Sequence, residues 1–227
     1  MIYALSDLHL SFGTNKPMNV FGKVWNNYEA KIRDNWNSMV KDEDFVLICG
    51  DVSWGMYIDE CVHDFEYLAS LKGTKIISKG NHDYWWCTHA KQKEFLAKHG
   101  FERIWFLHNN SYMLEDGIAV CGARGWTANN QTDDDIKIYN RELQRLELSI
   151  KSVPKEATRI IAMLHYLPDI AFMEMLTRYG ISDCVYGHLH AGSHKNAVYG
   201  TLDGVRYNLT SCDYLDFKPL RLDIKGE

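Results

Sequence analysis

Apolar residues along the chain fall into two patterns that take turns. Short runs rich in Ile, Val and Leu read as strands at Ile2 to Leu5, Phe45 to Cys49, Lys75 to Ser78, Tyr112 to Leu114, Ile118 to Cys121, Arg159 to Leu164, Asp183 to Tyr186, Val205 to Leu209 and Leu220 to Ile224. Between them, apolar positions recur at helical spacing: Trp25, Tyr28, Ile32, Trp36 and Met39; Ile58, Val62, Phe65 and Leu68; and Ile136, Tyr139, Leu143, Leu146 and Ile150. Thr132, followed by Asp133, Asp134 and Asp135, predicts a helix start, because a hydroxyl cap and first-turn carboxylates suit the free amides there. Strands alternating with helices predict an α/β fold, and the crowding of strand signals from Asp183 onward predicts a second sheet stacked on the first.

With 227 residues, 46% of them hydrophobic, and four prolines, the chain suits one domain over residues 1–227 with a sizeable core. The 25 basic and 30 acidic residues leave a formal charge of −5, scattered without a basic stripe, which weighs against a nucleic-acid partner. Cys49, Cys61, Cys87, Cys121, Cys184 and Cys212 form no C-x-x-C pair, and several lie in apolar runs, so a reducing compartment is expected. The chain starts without the charged and long apolar stretches of a secretion signal, and no segment has the length of a membrane span. These readings predict a cytoplasmic protein with no membrane partner. Aromatics at 13% fit either a large core or a self-association surface, which leaves a homo-oligomer open.

Five short polar clusters stand where apolar runs stop: Asp7-Leu8-His9, Gly50-Asp51, Gly80-Asn81-His82-Asp83, His165 and Gly187-His188-Leu189-His190. Strand ends on one edge of a sheet are where α/β proteins place ligands. Asp, Asn and His hold divalent first-row metals, manganese first here, with iron, zinc, cobalt or nickel also suited. Gly50, Gly80 and Gly187 would let the backbone turn off a strand and let a metal-phosphate group come close. A D-x-H alone is common by chance, whereas five such clusters in order are not. None contains cysteine, which disfavours a closed structural zinc site.

In these blocks the chain resembles the calcineurin-like metallophosphoesterase superfamily, whose pattern is D-x-H, G-D, G-N-H-[DE], a histidine and G-H-x-H. The resemblance runs from Asp7 to His190. It implies a four-layer α/β/β/α sandwich and a binuclear metal centre. One ion would be held by Asp7, His9, Asp51 and His190, the other by Asp51, Asn81, His165 and His188, with Asp51 bridging. His82 would face the substrate, and Asp83 would hold its ring.

Two divalent ions, about +4, against two carboxylates leave a site of about +2 that attracts an anionic ester and lowers the pKa of a bridging water, giving a hydroxide nucleophile. His82 is the candidate general acid for the leaving alkoxide. Arg124 follows a strand and is a candidate for gripping a phosphate oxygen or for an ordinary ion pair. Tyr84, Trp85 and Trp86 offer an aromatic wall, with core packing expected for at least two of them. His63, His89, His99, His108 and His194 fall in no block and carry no functional expectation.

Departures from the pattern narrow the expectation. The second block reads Gly50-Asp51-Val52-Ser53-Trp54-Gly55 and Lys79 precedes Gly80, unlike the Asp-Arg-Gly and arginine of the protein serine/threonine phosphatases. Trp54 stands where purple acid phosphatases place a metal-binding tyrosine. About 37 residues follow His190, little room for the capping region of the DNA-repair nucleases. A small bacterial-type phosphoesterase acting on a small diester or monoester fits best. Two rivals are a non-catalytic metal-binding interaction module of the same fold and a nuclease acting on single strands or oligonucleotides.

Overall fold

A computed structural model describes residues 1–127 and 132–223. In chain order the elements are β1 (Ile2–Ala4), α1 (Tyr28–Met39), β2 (Phe45–Ile48), α2 (Val62–Ser70), β3 (Thr74–Ile77), α3 (His89–His99), β4 (Ile104–Phe106), β5 (Tyr112–Met113), β6 (Ile118–Ala123), α4 (Asp133–Lys151), β7 (Arg159–Leu164), α5 (Ile170–Arg178), β8 (Asp183–Tyr186), β9 (Gly200–Leu202), β10 (Val205–Leu209) and β11 (Leu220–Leu222). They form two sheets, ordered β11-β1-β2-β3-β4 and β5-β6-β7-β8-β10-β9. Pairing is parallel from β1 to β4 and from β6 through β7 and β8 to β10, while β11, β5 and β9 join antiparallel.

β1, β2 and β6 carry no charged residue and are buried almost throughout, because both of their faces are covered. On β1, on β2 and just after it, Ile2, Ala4, Leu47 and Cys49 pack with Val120, Ile161, Met163 and Val185 of the other sheet. The alternate residues Tyr3, Leu5, Val46 and Ile48 face Ile32, Trp36, Phe65 and Leu68 of α1 and α2. On the far side, Cys121, Ala162, Leu164, Cys184 and Tyr186 pack against Leu146, Ile150, Phe172 and Leu176 of α4 and α5. The layers are thus helix, sheet, sheet, helix: the expected sandwich. Each large side chain removed from water this way contributes about 1.5–3 kcal/mol.

The second sheet departs from the sequence expectation in its starting point, since the chain crosses into it at Tyr112 and not at Asp183, and β11 returns to the first sheet. β4 and β9 were not anticipated; β9 is exposed at all three positions and so carries no burial pattern. α3 was missed because it buries only Gln92 and Phe95, too narrow a stripe to read, although Thr88 caps its start and Gly100 ends it with a φ of +70°. α5 was also missed, and Asp169 caps it through the amides of Ala171 and Phe172. Thr132 does cap α4, accepting from the Asp135 amide at 3.2 Å, but Ile136 on the expected stripe points to solvent. Trp25 lies in a 3-10 turn ahead of α1, and Ile224 falls outside the described residues. Among the described residues, no helix is long and apolar enough to cross a membrane.

Candidate metal centre

All five polar blocks follow parallel strands, β1, β2, β3, β7 and β8, so they emerge on one edge of the sandwich. The two sheets are tied together at that edge. The Ser6 amide donates to the Thr210 carbonyl at 2.7 Å and the Cys212 amide to the Ser6 carbonyl at 3.0 Å. Ser6 Oγ also lies 2.8 Å from Thr210 Oγ1 and accepts from the Cys49 amide at 2.8 Å.

Four residues of the blocks hold left-handed backbone: Asp7 (φ +59°), His9 (+46°), Asp51 (+52°) and His188 (+71°). Such conformations cost about 1–2 kcal/mol each for residues with a Cβ. Bonds from the Asp7 amide to the Gly50 carbonyl (3.1 Å) and from the His9 amide to the Asp51 carbonyl (2.9 Å) hold two of them. Gly50 makes the expected turn with a φ of +85°, whereas Gly80 and Gly187 serve a different purpose. A Cβ on Gly80 would stand 2.1 Å from Asp51 Oδ1, and one on Gly187 would stand 2.4 Å from Asp7 Oδ2. Both make room for the carboxylates themselves.

The folded chain brings together all seven residues read as ligands. Donor atoms of Asp7, His9 and His190 lie within 4.8 Å of one another, as do those of Asp7, Asp51 and His165. Asn81 Oδ1 joins them, 2.6 Å from His165 Nε2 and 2.9 Å from His188 Nδ1. Asp51 Oδ2 sits between the two halves, 3.8 Å from His9 Nε2 and 3.5 Å from His165 Nε2. Asp7, Asp51 and His165 are buried, while Asn81, His82, His188 and His190 are partly exposed and form the open side.

Hydrogen bonds behind the rings fix which nitrogen faces inward. His165 Nδ1–H donates to the Cys49 carbonyl at 2.8 Å. A neutral His165 therefore turns an Nε2 lone pair toward the lone pairs of Asn81 Oδ1, a contact that a cation between them would make favourable. His190 Nδ1 meets Asp213 Oδ1 at 2.8 Å, which aims its Nε2 at Asp7 Oδ1, 3.7 Å away, and His9 Nε2, 3.4 Å away.

The charges suit the same reading. Burial lowers the pKa of His9 to about 3 and of His188 to about 4, so both rings are neutral near pH 7. Burial, reinforced by the charge of Asp7, pushes Asp51 up. Burial would also raise Asp7, but its hydrogen bond to His190 and the charges of His190, His165 and His9 outweigh that and hold it low. The neutral His9 and His188 rings, an amide oxygen and two buried carboxylates form a donor set that fits divalent first-row cations.

Asp83 corrects the sequence reading. Its carboxylate accepts N–H bonds from Asp51 (2.9 Å), Val52 (2.9 Å), Gly80 (2.7 Å) and Trp85 Nε1 (3.1 Å), so it braces the β2 and β3 turns and does not hold the His82 ring. His82 uses its amide to hold Asp51 Oδ1 at 2.8 Å, and its buried Nδ1 has no hydrogen-bond partner among the described residues. Its ring lies 4.6 Å from Trp54 and 5.7 Å from His9. Burial lowers its pKa. Arg124 takes the ion-pair alternative, 3.4 Å from Glu142 Oε1 and stacked over Trp126. Trp85 is core and Trp86 packs against it, leaving Tyr84 exposed.

Three contributors carry no site role in the sequence reading. Asp213 orients His190, Trp54 stacks on His9 at 5.0 Å, and Tyr166 lies 4.3 Å from the His188 ring. Asp213 follows β10, so its place at a strand end was the one available clue.

The calcineurin-like phosphoesterase family model matches residues 1–192. No curated protein sequence matches the chain significantly. Among solved structures, the chain is similar to a phosphopantetheinyl hydrolase from Mycobacterium tuberculosis, with a TM-score of 0.59 at 13% identity over 100% of this chain and 97% of that one. It is also similar to a protein of unknown function from Aquifex aeolicus, with a TM-score of 0.53 at 19% identity over 97% and 94%. These two likenesses concern the fold.

Proposed function

The chain belongs to the calcineurin-like phosphoesterase family, and from that premise we propose that it hydrolyses a small phosphate ester at two divalent ions. Asp7, His9, Asp51 and His190 would hold one ion, and Asp51, Asn81, His165 and His188 the other. The observation that carries this reading is the 2.6 Å approach of His165 Nε2 to Asn81 Oδ1 while His165 Nδ1–H is committed to Cys49. Two lone pairs at that distance favour a shared cation.

When bound, the ions would supply activation of water as the nucleophile and neutralisation of the phosphoryl charge. The chain's own groups do the rest. Asp51 Oδ2, facing both His9 and His165, suits the shared ligand. His82 is partly exposed on the open side, and its ring would give a proton to the leaving oxygen. Trp54 and Asp83 act as positioning residues, the first against the His9 and His82 rings, the second beneath the backbone of Asp51 and Gly80. Manganese suits the mixed oxygen and imidazole set, and iron, zinc, cobalt or nickel would also bind. Six free thiols, five of them buried, support a reducing compartment and hence the cytoplasm.

Metal analysis together with hydrolysis of bis-p-nitrophenyl phosphate and p-nitrophenyl phosphate, with Mn²⁺ added, tests the reading. Wild type should bind two ions and cleave at least one ester, and Asp51→Asn should lose about 100-fold in turnover or more. Absence of stoichiometric metal in the wild type would overturn the proposal.

A further inference from the structure

Beside the metal centre, a cavity of about 370 Å³ opens between the end of β3, the approach to α3, the end of β6 and α4. The chain ties it to the centre. Lys79 lies two residues before Asn81, and the Arg124 carbonyl accepts the amides of His165 (2.9 Å) and Tyr166 (3.0 Å). Its volume falls in the range of small-molecule sites, about 300–1,000 Å³.

The lining is charged in an unbalanced way. Three cations, Lys79, Arg124 and Arg145, face a single carboxylate, Glu142. Glu142 is fully buried; its Oε1 takes both Arg145, at 2.6 Å, and Arg124, at 3.4 Å. Its Oε2 meets no donor among the described residues, and Arg124 Nε meets no acceptor. Lys79 is half-buried and pairs with no carboxylate among the described residues. Leaving a buried acceptor unmet costs about 1–3 kcal/mol, and crowding three cations adds to that. A ligand that brings both an anion and a hydrogen-bond donor would relieve both costs.

We propose that this cavity recognises the leaving half of the substrate: an alcohol that carries a second anionic group, phosphate or carboxylate, held by Lys79 and Arg145, and a hydroxyl or N–H that donates to Glu142 Oε2. This rests on the metal-centre reading for the scissile ester. Arg124, stacked over Trp126 and bonded to Glu142, acts here as a positioning residue that holds the carboxylate in place. Trp86 supplies an apolar wall and Thr88 a hydroxyl at the rim. The enzyme would then distinguish doubly anionic substrates from simple phosphate esters.

The test uses two matched pairs, adenosine 3′,5′-bisphosphate against adenosine 5′-monophosphate, and 3-phosphoglycerate against glycerol 3-phosphate. Titration calorimetry on chelator-treated, full-length protein reads the cavity without catalysis; kcat/KM with Mn²⁺ reads it during turnover. The doubly anionic member of at least one pair should bind about tenfold more tightly, chiefly through KM in turnover, and which pair responds separates phosphate from carboxylate. That preference should fall about tenfold in Arg145→Met and in Lys79→Met, both checked for folding by circular dichroism. Equal binding within both pairs, or a preference that survives both substitutions, would overturn the inference. Cleavage of bis-p-nitrophenyl phosphate alongside equal binding sinks the cavity inference alone. A cavity preference in protein that hydrolyses no ester sinks the metal-centre reading instead.

Discussion

Burial opposes a charge on His190, yet Asp213 and Asp7 on either side of its ring raise its pKa to about 10 in the metal-free chain. The proton is therefore present at pH 7, and a metal reaching Nε2 must displace it. Metal affinity should rise as pH increases toward about 10 and fall as pH drops. Calorimetry of Mn²⁺ binding in buffers of different ionisation enthalpy checks this through the protons released. Asp213→Asn should weaken binding by about 10–100-fold and release fewer protons. His82 differs, because no carboxylate holds its ring and burial lowers its pKa. If it serves the leaving oxygen, His82→Ala should slow alkyl phosphates by about 10²–10⁴-fold and nitrophenyl esters far less. Equal losses on both would count against the acid role.

Among the elements, the strand-end turns carry the most demanding geometry. Gly187→Ala would set a methyl 2.4 Å from Asp7 Oδ2, so the β8 turn must shift and take His188 with it. The expected outcome is loss of bound metal with a circular dichroism spectrum close to wild type, since the strand itself is untouched. Gly100→Ala provides the contrast. That glycine also has a positive φ, +70°, at the end of α3, but nothing lies within 4 Å of the added methyl. It should cost about 1 kcal/mol of stability and leave metal content unchanged. Full metal in Gly187→Ala would show that the turn is less constrained than its contacts require.

For the whole molecule, a metal held at the centre would clasp two sheets joined otherwise by an apolar interface and the Ser6 hydrogen bonds. Asp7, Asp51 and Asn81 come from the first sheet, and His165, His188 and His190 from the second. Bound metal should therefore stabilise the fold, by about 2.7 kcal/mol for each site at a hundred times its Kd. In a chain of this size that corresponds to a rise in Tm of roughly 5–10 °C. A scan with and without chelator measures it, and an unchanged Tm would mean the residues bind no ion in the folded state.

The order of the five blocks and their places at strand ends were legible in the sequence, because metal ligation limits residue type and parallel strands put their ends on one edge. The buried strands were legible too, since covering both faces makes most of their positions apolar. Neighbours set by packing were not. Nothing in Asp83's place beside His82 says that its carboxylate turns back to four N–H donors, because that choice depends on how the β2 and β3 turns meet. Asp213 reaches His190 across 23 positions of sequence, and α3 and β9 bury too little to leave a pattern. In the side cavity, Lys79 follows β3 of the first sheet, while Arg124 follows β6 and Glu142 and Arg145 lie on α4, so only the stacking of the two sheets brings Lys79 to the others. Sequence thus determined which chemistry the strand ends carry, and tertiary structure decided which groups support it, because hydrogen bonds and ion pairs depend on distances that strands and helices create only when packed.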